Sequence, residues 1–134
     1  MAKDYKIFIS HSWQYTDTLE ALRNLLNERG YFNATYEEST KDNPINSENE
    51  SYVKRRLAQK IGASDVILAL AGVYASHSSW MQWELDKALE LGTPIIGVIP
   101  RGQEKISTIV SSRSLEDVRW NTESIITAIR KHAK

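Results

Sequence analysis

The chain has 134 residues, 17 Lys+Arg against 17 Asp+Glu, and no cysteine. At about 100–200 residues per domain this predicts one domain, residues 1–134, long enough to bury roughly two-thirds of its unfolded surface without covalent staples. The absence of cysteine excludes disulfides, thiolate nucleophiles and Cys-ligated zinc or iron–sulfur centres, and the balanced charge gives no electrostatic footprint for nucleic acid or an anionic membrane.

Met1 to Lys6 carries an acid before a short apolar run, which is not the pattern of a signal peptide. Ile7-Phe8-Ile9 then predicts a first strand. Leu19, Leu22 and Leu26 recur at helical spacing, with Asp17 and Glu20 as a capping box and Gly30 as a stop. Asn33-Ala34-Thr35-Tyr36 is polar enough for an edge strand, and Lys41 to Asn46 is a polar loop containing Pro44. Val53, Leu57 and Ile61 form a second helical stripe, opened by Ser47 with Glu50 and stopped at Gly62. After its opening acid, Asp65 to Ala71 is apolar without alternation, and so is Pro94 to Ile99, the pattern of strands buried on both faces. The longest apolar stretch, Val66 to Ala75, is well short of the ~20 residues that span a bilayer, so a cytoplasmic chain is expected. Between the two apolar strands, Met81, Leu85, Ala88 and Leu89 form a third stripe, opened by Ser79 with Gln82 and closed by Gly92. Arg101 to Leu115 is Ser-rich, with Ile106, Ile109 and Val110 predicting a short helix between loops. A second edge strand is expected near Asp117 to Trp120, and a last helix carries Ile125, Ile126 and Ile129 into Arg130-Lys131-His132.

Alternation of strands and helices with crossovers of this length implies an α/β fold. Five strands in this length predict a flavodoxin-like, doubly wound parallel sheet in the order 2-1-3-4-5. Ligands bind such sheets beyond the carboxyl ends of the strands, where the order reverses. That singles out Ser10-His11-Ser12-Trp13 after the first strand and Gly72 to Trp80 after the third, both rich in hydroxyls, imidazole and indole. Glu84 follows Trp80 by one helical turn, and both fall at the edge of the third stripe. The plainer reading is an exposed glutamate paired with Lys87 or Lys60.

Other chemistries find no support. There is no G-x-S-x-G elbow for a serine nucleophile, and His11, His77 and His132 lack metal-ligand spacing. No Walker A or G-x-G-x-x-G sequence occurs. A phosphoacceptor receiver domain needs acids where this chain has Ser10-His11 and Ala71-Gly72.

Phe8-Ile9-Ser10-His11-Ser12 resembles the first sequence box of TIR domains. Trp80-Met81-Gln82-Trp83-Glu84 matches the Trp-x-x-x-Glu motif of enzymatic TIR domains, and Trp120-Asn121-Thr122 is similar to their third box. With Asp42-Asn43-Pro44-Ile45 and Ala71-Gly72-Val73-Tyr74-Ala75, the likeness is to the short TIR-like proteins that include the TIR component of the Thoeris antiphage system. The resemblance implies NAD⁺ as substrate, with no cofactor and no metal. Cleavage would give ADP-ribose or a cyclic ADP-ribose isomer that signals to a downstream effector. It implies Glu84 as the catalytic residue and Trp80 as its stacking partner. Ser10, His11, Ser12 and Trp13 line the pocket by the same likeness, and Asp42 to Ile45 stand in the flexible loop. Pro44-Ile45 replaces the Pro-Gly of receptor and adaptor TIRs there. Self-association through TIR–TIR contacts is implied as well. Two rivals stand beside this reading: a non-catalytic TIR interaction module, and a nucleoside deoxyribosyltransferase-like enzyme with a glutamate on a related sheet.

Overall fold

A computed structural model describes residues 4–11, 16–28, 33–38, 50–70, 79–99 and 108–133. These alternate through β1 (Asp4–His11), α1 (Thr16–Asn27), β2 (Asn33–Glu38), α2 (Glu50–Ala63), β3 (Val66–Leu70), α3 (Ser79–Leu91), β4 (Ile95–Val98), α4 (Thr108–Ser111), β5 (Glu116–Val118) and α5 (Thr122–His132). The strands make one parallel sheet in the order β2-β1-β3-β4-β5, as expected from the sequence.

The continuous apolar runs are explained by what covers them. Side chains alternate across a strand, and here both sides are roofed. Ile7, Ile9, Val66, Leu68, Leu70, Ile96 and Val98 face α1 and α5, where Leu22, Leu26, Ile125, Ile126 and Ile129 meet them. Phe8, Ile67, Ala69 and Ile95 face the other way, against Leu57 and Ile61 of α2 and Met81, Leu85 and Ala88 of α3. Every residue of β3 is buried, so no polar residue fits there without a partner.

Helix ends depart from the expected stops in two places. Gly62 does not end α2, which continues to Ala63. The stop is made instead by Ser64, whose hydroxyl donates to the Lys60 carbonyl at 2.7 Å, and by Thr93, whose hydroxyl donates to the Ile61 carbonyl at 3.1 Å. These bonds satisfy carbonyls that a helix end would leave open. α1 begins at Thr16, one residue before the Asp17 expected to open it; Gly30 and Ser47 fall outside the described residues. Gly92 does stop α3. At φ 76° it takes the left-handed conformation that a side chain would resist, donating to Leu89 while Thr93 donates to Ala88. Asn121 opens α5, its side-chain oxygen accepting from Ser124 N at 3.0 Å. Trp120, beside it, is half-buried against the α1/α5 cluster. In this fold the Trp-Asn-Thr box therefore begins a helix.

Tyr36, on edge strand β2, packs against the same cluster. Burial pushes its phenol from 10.0 up to about 12, and the Arg23 charge opposes this only in part. Its hydroxyl is buried without a hydrogen-bond partner among the described residues. As pH rises, the unfolded chain ionises at this residue first. The contribution of Tyr36 to stability is therefore complete below pH 10 and is lost as pH approaches about 12. Tyr36→Phe is expected to leave stability near neutral pH within about 1 kcal/mol, because no hydrogen bond is broken. Urea midpoints taken across the alkaline window should fall less steeply in the variant than in wild type. Equal slopes would show that this phenol is not the titrating group.

Candidate active site

The register places Ser10 of β1 beside Ala69 of β3, and Ala69 beside Gly97 of β4. Phe8, Ala69 and Ile95 face α2 and α3, and side chains two apart share a face, so this row faces those helices too. It lies just below the carboxyl edge of the sheet, where strand order reverses between β1 and β3. Three small residues in a row leave room above the strands that a row of leucines would fill.

A side chain of α3 occupies that level. α3 starts at Ser79, and Glu84 is five residues further on, about 7.5 Å along the axis. The Ser10 hydroxyl donates to Glu84 Oε1 at 2.8 Å, and both residues have 0% of their surface accessible. A carboxylate enclosed in this way is costly unless bonded. An uncommitted helix glutamate would instead turn to solvent.

The sequence reading put Glu84 at the rim of its helix stripe, and the structure corrects this. Leu89, apolar and at stripe spacing, is 53% exposed. The buried set is Met81, Glu84, Leu85 and Ala88, the i, i+3, i+4, i+7 pattern of a covered face. Removing Leu89 turns the stripe toward Glu84 and places the carboxylate inside it. Nor is Glu84 the partner of Lys87, which binds Glu90 Oε2 at 3.0 Å. Lys60 is at the opposite end of α2, where it lines a separate cleft of about 360 Å³ with Lys6, Thr35 and Arg56.

Trp83 precedes Glu84 and is half-buried against the α2/α3 cluster. The Lys54 ammonium of α2 lies 5.6 Å from its ring centre and that of Lys87 lies 5.7 Å away. Both are within cation–π range, so the indole, with Lys54, ties α3 to α2. The family likeness gives the stacking role to Trp80 and none to Trp83. Farther along α3, Arg113 Nε meets Asp86 Oδ1 at 2.6 Å and fastens the chain after α4 to the helix.

Among the other candidates, Trp80 lies in the first turn of α3 and His11 ends β1, but their side chains are outside the described residues. Ser12, Trp13, Asp42 and Ile45 are outside them altogether, as is the stretch 71–78. Of the candidate residues, the structure thus brings together Ser10 and Glu84. Among the described residues no group of His, Asp and Glu could hold a metal ion. None of their helices is long and apolar enough to cross a membrane.

The solved structures that share the fold include the following two. One is the 2-deoxyribosyltransferase of the psychrotolerant bacterium Bacillus psychrosaccharolyticus, similar with a TM-score of 0.65 and 16% identity over 90% of this chain and 89% of that one. The other is the CMP N-glycosidase BcmB of Clostridium botulinum, with a TM-score of 0.53 and 17% identity over 93% of this chain and 98% of that one. Comparison with curated proteins gives no match. The family model described as Thoeris protein ThsB, TIR-like domain, matches residues 8–105, which take in both Ser10 and Glu84, and by that match the chain belongs to the ThsB TIR-like family.

Proposed function

We propose that the protein cleaves the bond between nicotinamide and ribose in NAD⁺, with Glu84 as the catalytic carboxylate, as part of antiphage defence. The observation that carries this reading is the complete enclosure of Glu84 at the carboxyl edge of the sheet, at the switch between β1 and β3. That is where this architecture binds ligands, and the buried acid is the glutamate of the Trp-x-x-x-Glu motif.

The chemistry suits one carboxylate. Nicotinamide in NAD⁺ is a pyridinium, so it departs neutral with the bonding pair and needs no general acid. The positive charge passes to the ribose, giving an oxocarbenium-like transition state as in glycoside hydrolysis. An anion held in a dry site stabilises that charge far better than one in water. Capture of the cation by water, which then loses a proton, gives ADP-ribose. Capture by an adenine nitrogen or a ribose hydroxyl of the same molecule gives a cyclic isomer, the outcome favoured where water is excluded. In this reading Trp80 stacks on the substrate, while His11, Ser12, Trp13, Asp42 and Ile45 contribute to the pocket. Full enclosure of Glu84 implies that its cover must part for substrate to enter. That accords with a resting protein switched on by self-association, with the cyclic product as signal to an effector.

The test is mass spectrometry of products from NAD⁺ incubated with purified protein, alone and with phage-infected lysate. Nicotinamide with ADP-ribose or its cyclic isomer supports the reading. Intact NAD⁺ under every activating condition leaves an interaction module. A second reading takes its support from the deoxyribosyltransferase likeness, whose fold covers most of both chains. Exchange of base between a deoxynucleoside and a free base, with NAD⁺ untouched, would favour it.

A further inference from the structure

Ser10 belongs by resemblance to the residues lining the pocket, yet none of its surface is accessible and its hydroxyl is engaged with Glu84. We infer that Ser10 is a positioning residue, which holds the Glu84 carboxylate in one rotation rather than contacting substrate. The inference rests on the reading of Glu84 as the catalytic group.

Two features carry it. First, the two side chains differ in freedom. Glutamate has three rotatable bonds and comes from a helix, whereas the serine hydroxyl is a single torsion from a backbone that pairs with β3 on one side. Its strand is also paired to β2 on the other. A strand held on both sides is the rigid partner, and the bond transfers that rigidity to the flexible one. Second, the bond falls on one oxygen of the Glu84 carboxyl group, so it fixes the rotation of that group about its last torsion. At 2.8 Å it has the usual length of an O–H···O hydrogen bond. Stabilising charge on one ring atom depends on direction as well as distance, and misplacement of a catalytic group by an ångström can cost about a hundredfold in rate.

The inference separates from a substrate contact by the way kinetic constants divide. Loss of a positioning bond lowers kcat, while loss of a ground-state contact raises KM. Ser10→Ala is expected to lower kcat for nicotinamide release roughly 10- to 100-fold, with KM within about threefold of wild type. Ser10→Thr, which keeps the hydroxyl, should recover most of the lost kcat. Ser10→Cys has a similar shape but a weaker donor. It should give the same division in smaller measure, and it serves if the alanine variant does not fold. A raised KM at wild-type kcat, or wild-type kinetics in both the Ala and Cys variants, would overturn the inference. So would a drop in kcat that Thr fails to recover in a folded variant. Glu84→Gln run alongside separates the two levels. An active glutamine variant refutes the reading of the site, whereas an inactive one beside an unimpaired Ser10→Ala refutes only the positioning role.

Discussion

Glu84→Gln is expected to reduce NAD⁺ cleavage by roughly a thousandfold while the protein remains folded, the scale on which removing one preorganised electrostatic group acts. The substitution keeps the length and nearly the volume of the side chain. The Ser10 hydroxyl, now 2.8 Å from Glu84 Oε1, can still donate to the glutamine carbonyl in the same place. What disappears is the negative charge, and with it the attraction for the cationic ribose of the transition state. Nicotinamide release under activating conditions measures the loss, and thermal unfolding of the same preparations checks the fold. Wild-type turnover in a folded variant would remove Glu84 from the chemistry.

The largest effect on stability is expected at Phe8. It is fully buried at the centre of β1 and faces Leu57 and Ile61 of α2 and Met81 and Leu85 of α3. Phe8→Ala removes the ring from beneath both helices, and the held strands on either side cannot close the gap. Such truncations cost about 3–5 kcal/mol, against a total of about 5–15 kcal/mol for a typical domain. The variant should unfold at much lower denaturant and lose activity by shifting α3. Phe8→Leu, which keeps most of the volume, should lose clearly less. Denaturant titration reads both. An unfolding free energy for Phe8→Ala within about 1 kcal/mol of wild type would mean that the sheet and helices do not pack through this residue.

Much of the architecture was legible because burial on two faces leaves a plain mark. The unbroken apolar runs through Val66–Leu70 and Ile95–Val98 have no other use, and they locate the centre of the sheet. Gly92 was readable as a stop because the left-handed turn there needs a residue without Cβ. Gly62 was not a stop, because side chains distant in sequence or beyond the helix, Thr93 and Ser64, close that end instead. No local signal reports a cap supplied from another element. Asn121 was readable in principle, as an Asn immediately before a helix with Glu123 in its first turn.

The candidate site was legible in part, and the failure at Glu84 has a definite cause. Its motif and its level on α3 were evident from sequence, but its burial was not. A wheel built from hydrophobicity assigns an apolar residue such as Leu89 to the core and an acid to the edge. The structure reverses that pair: Leu89 is exposed and Glu84 enclosed. The exchange depends on Ser10, 74 positions earlier in the chain, whose hydroxyl gives the acid a buried partner. Contacts of that separation are created by topology, here by the adjacency of β1 and β3, and leave no periodicity to read. A local rule broken at one buried charge is also where a functional site is to be sought.

In the proposed mechanism the Glu84 carboxylate touches the ribose whose bond to nicotinamide breaks. The most direct measurement is a structure of the protein bound to an NAD⁺ analogue with an uncleavable nicotinamide–ribose linkage. A Glu84 oxygen within about 3 Å of a hydroxyl of that ribose, the distance of a hydrogen bond, would bear the claim out. An analogue seated elsewhere, with Glu84 still sealed beneath the sheet edge and more than about 6 Å from any sugar atom, would contradict it.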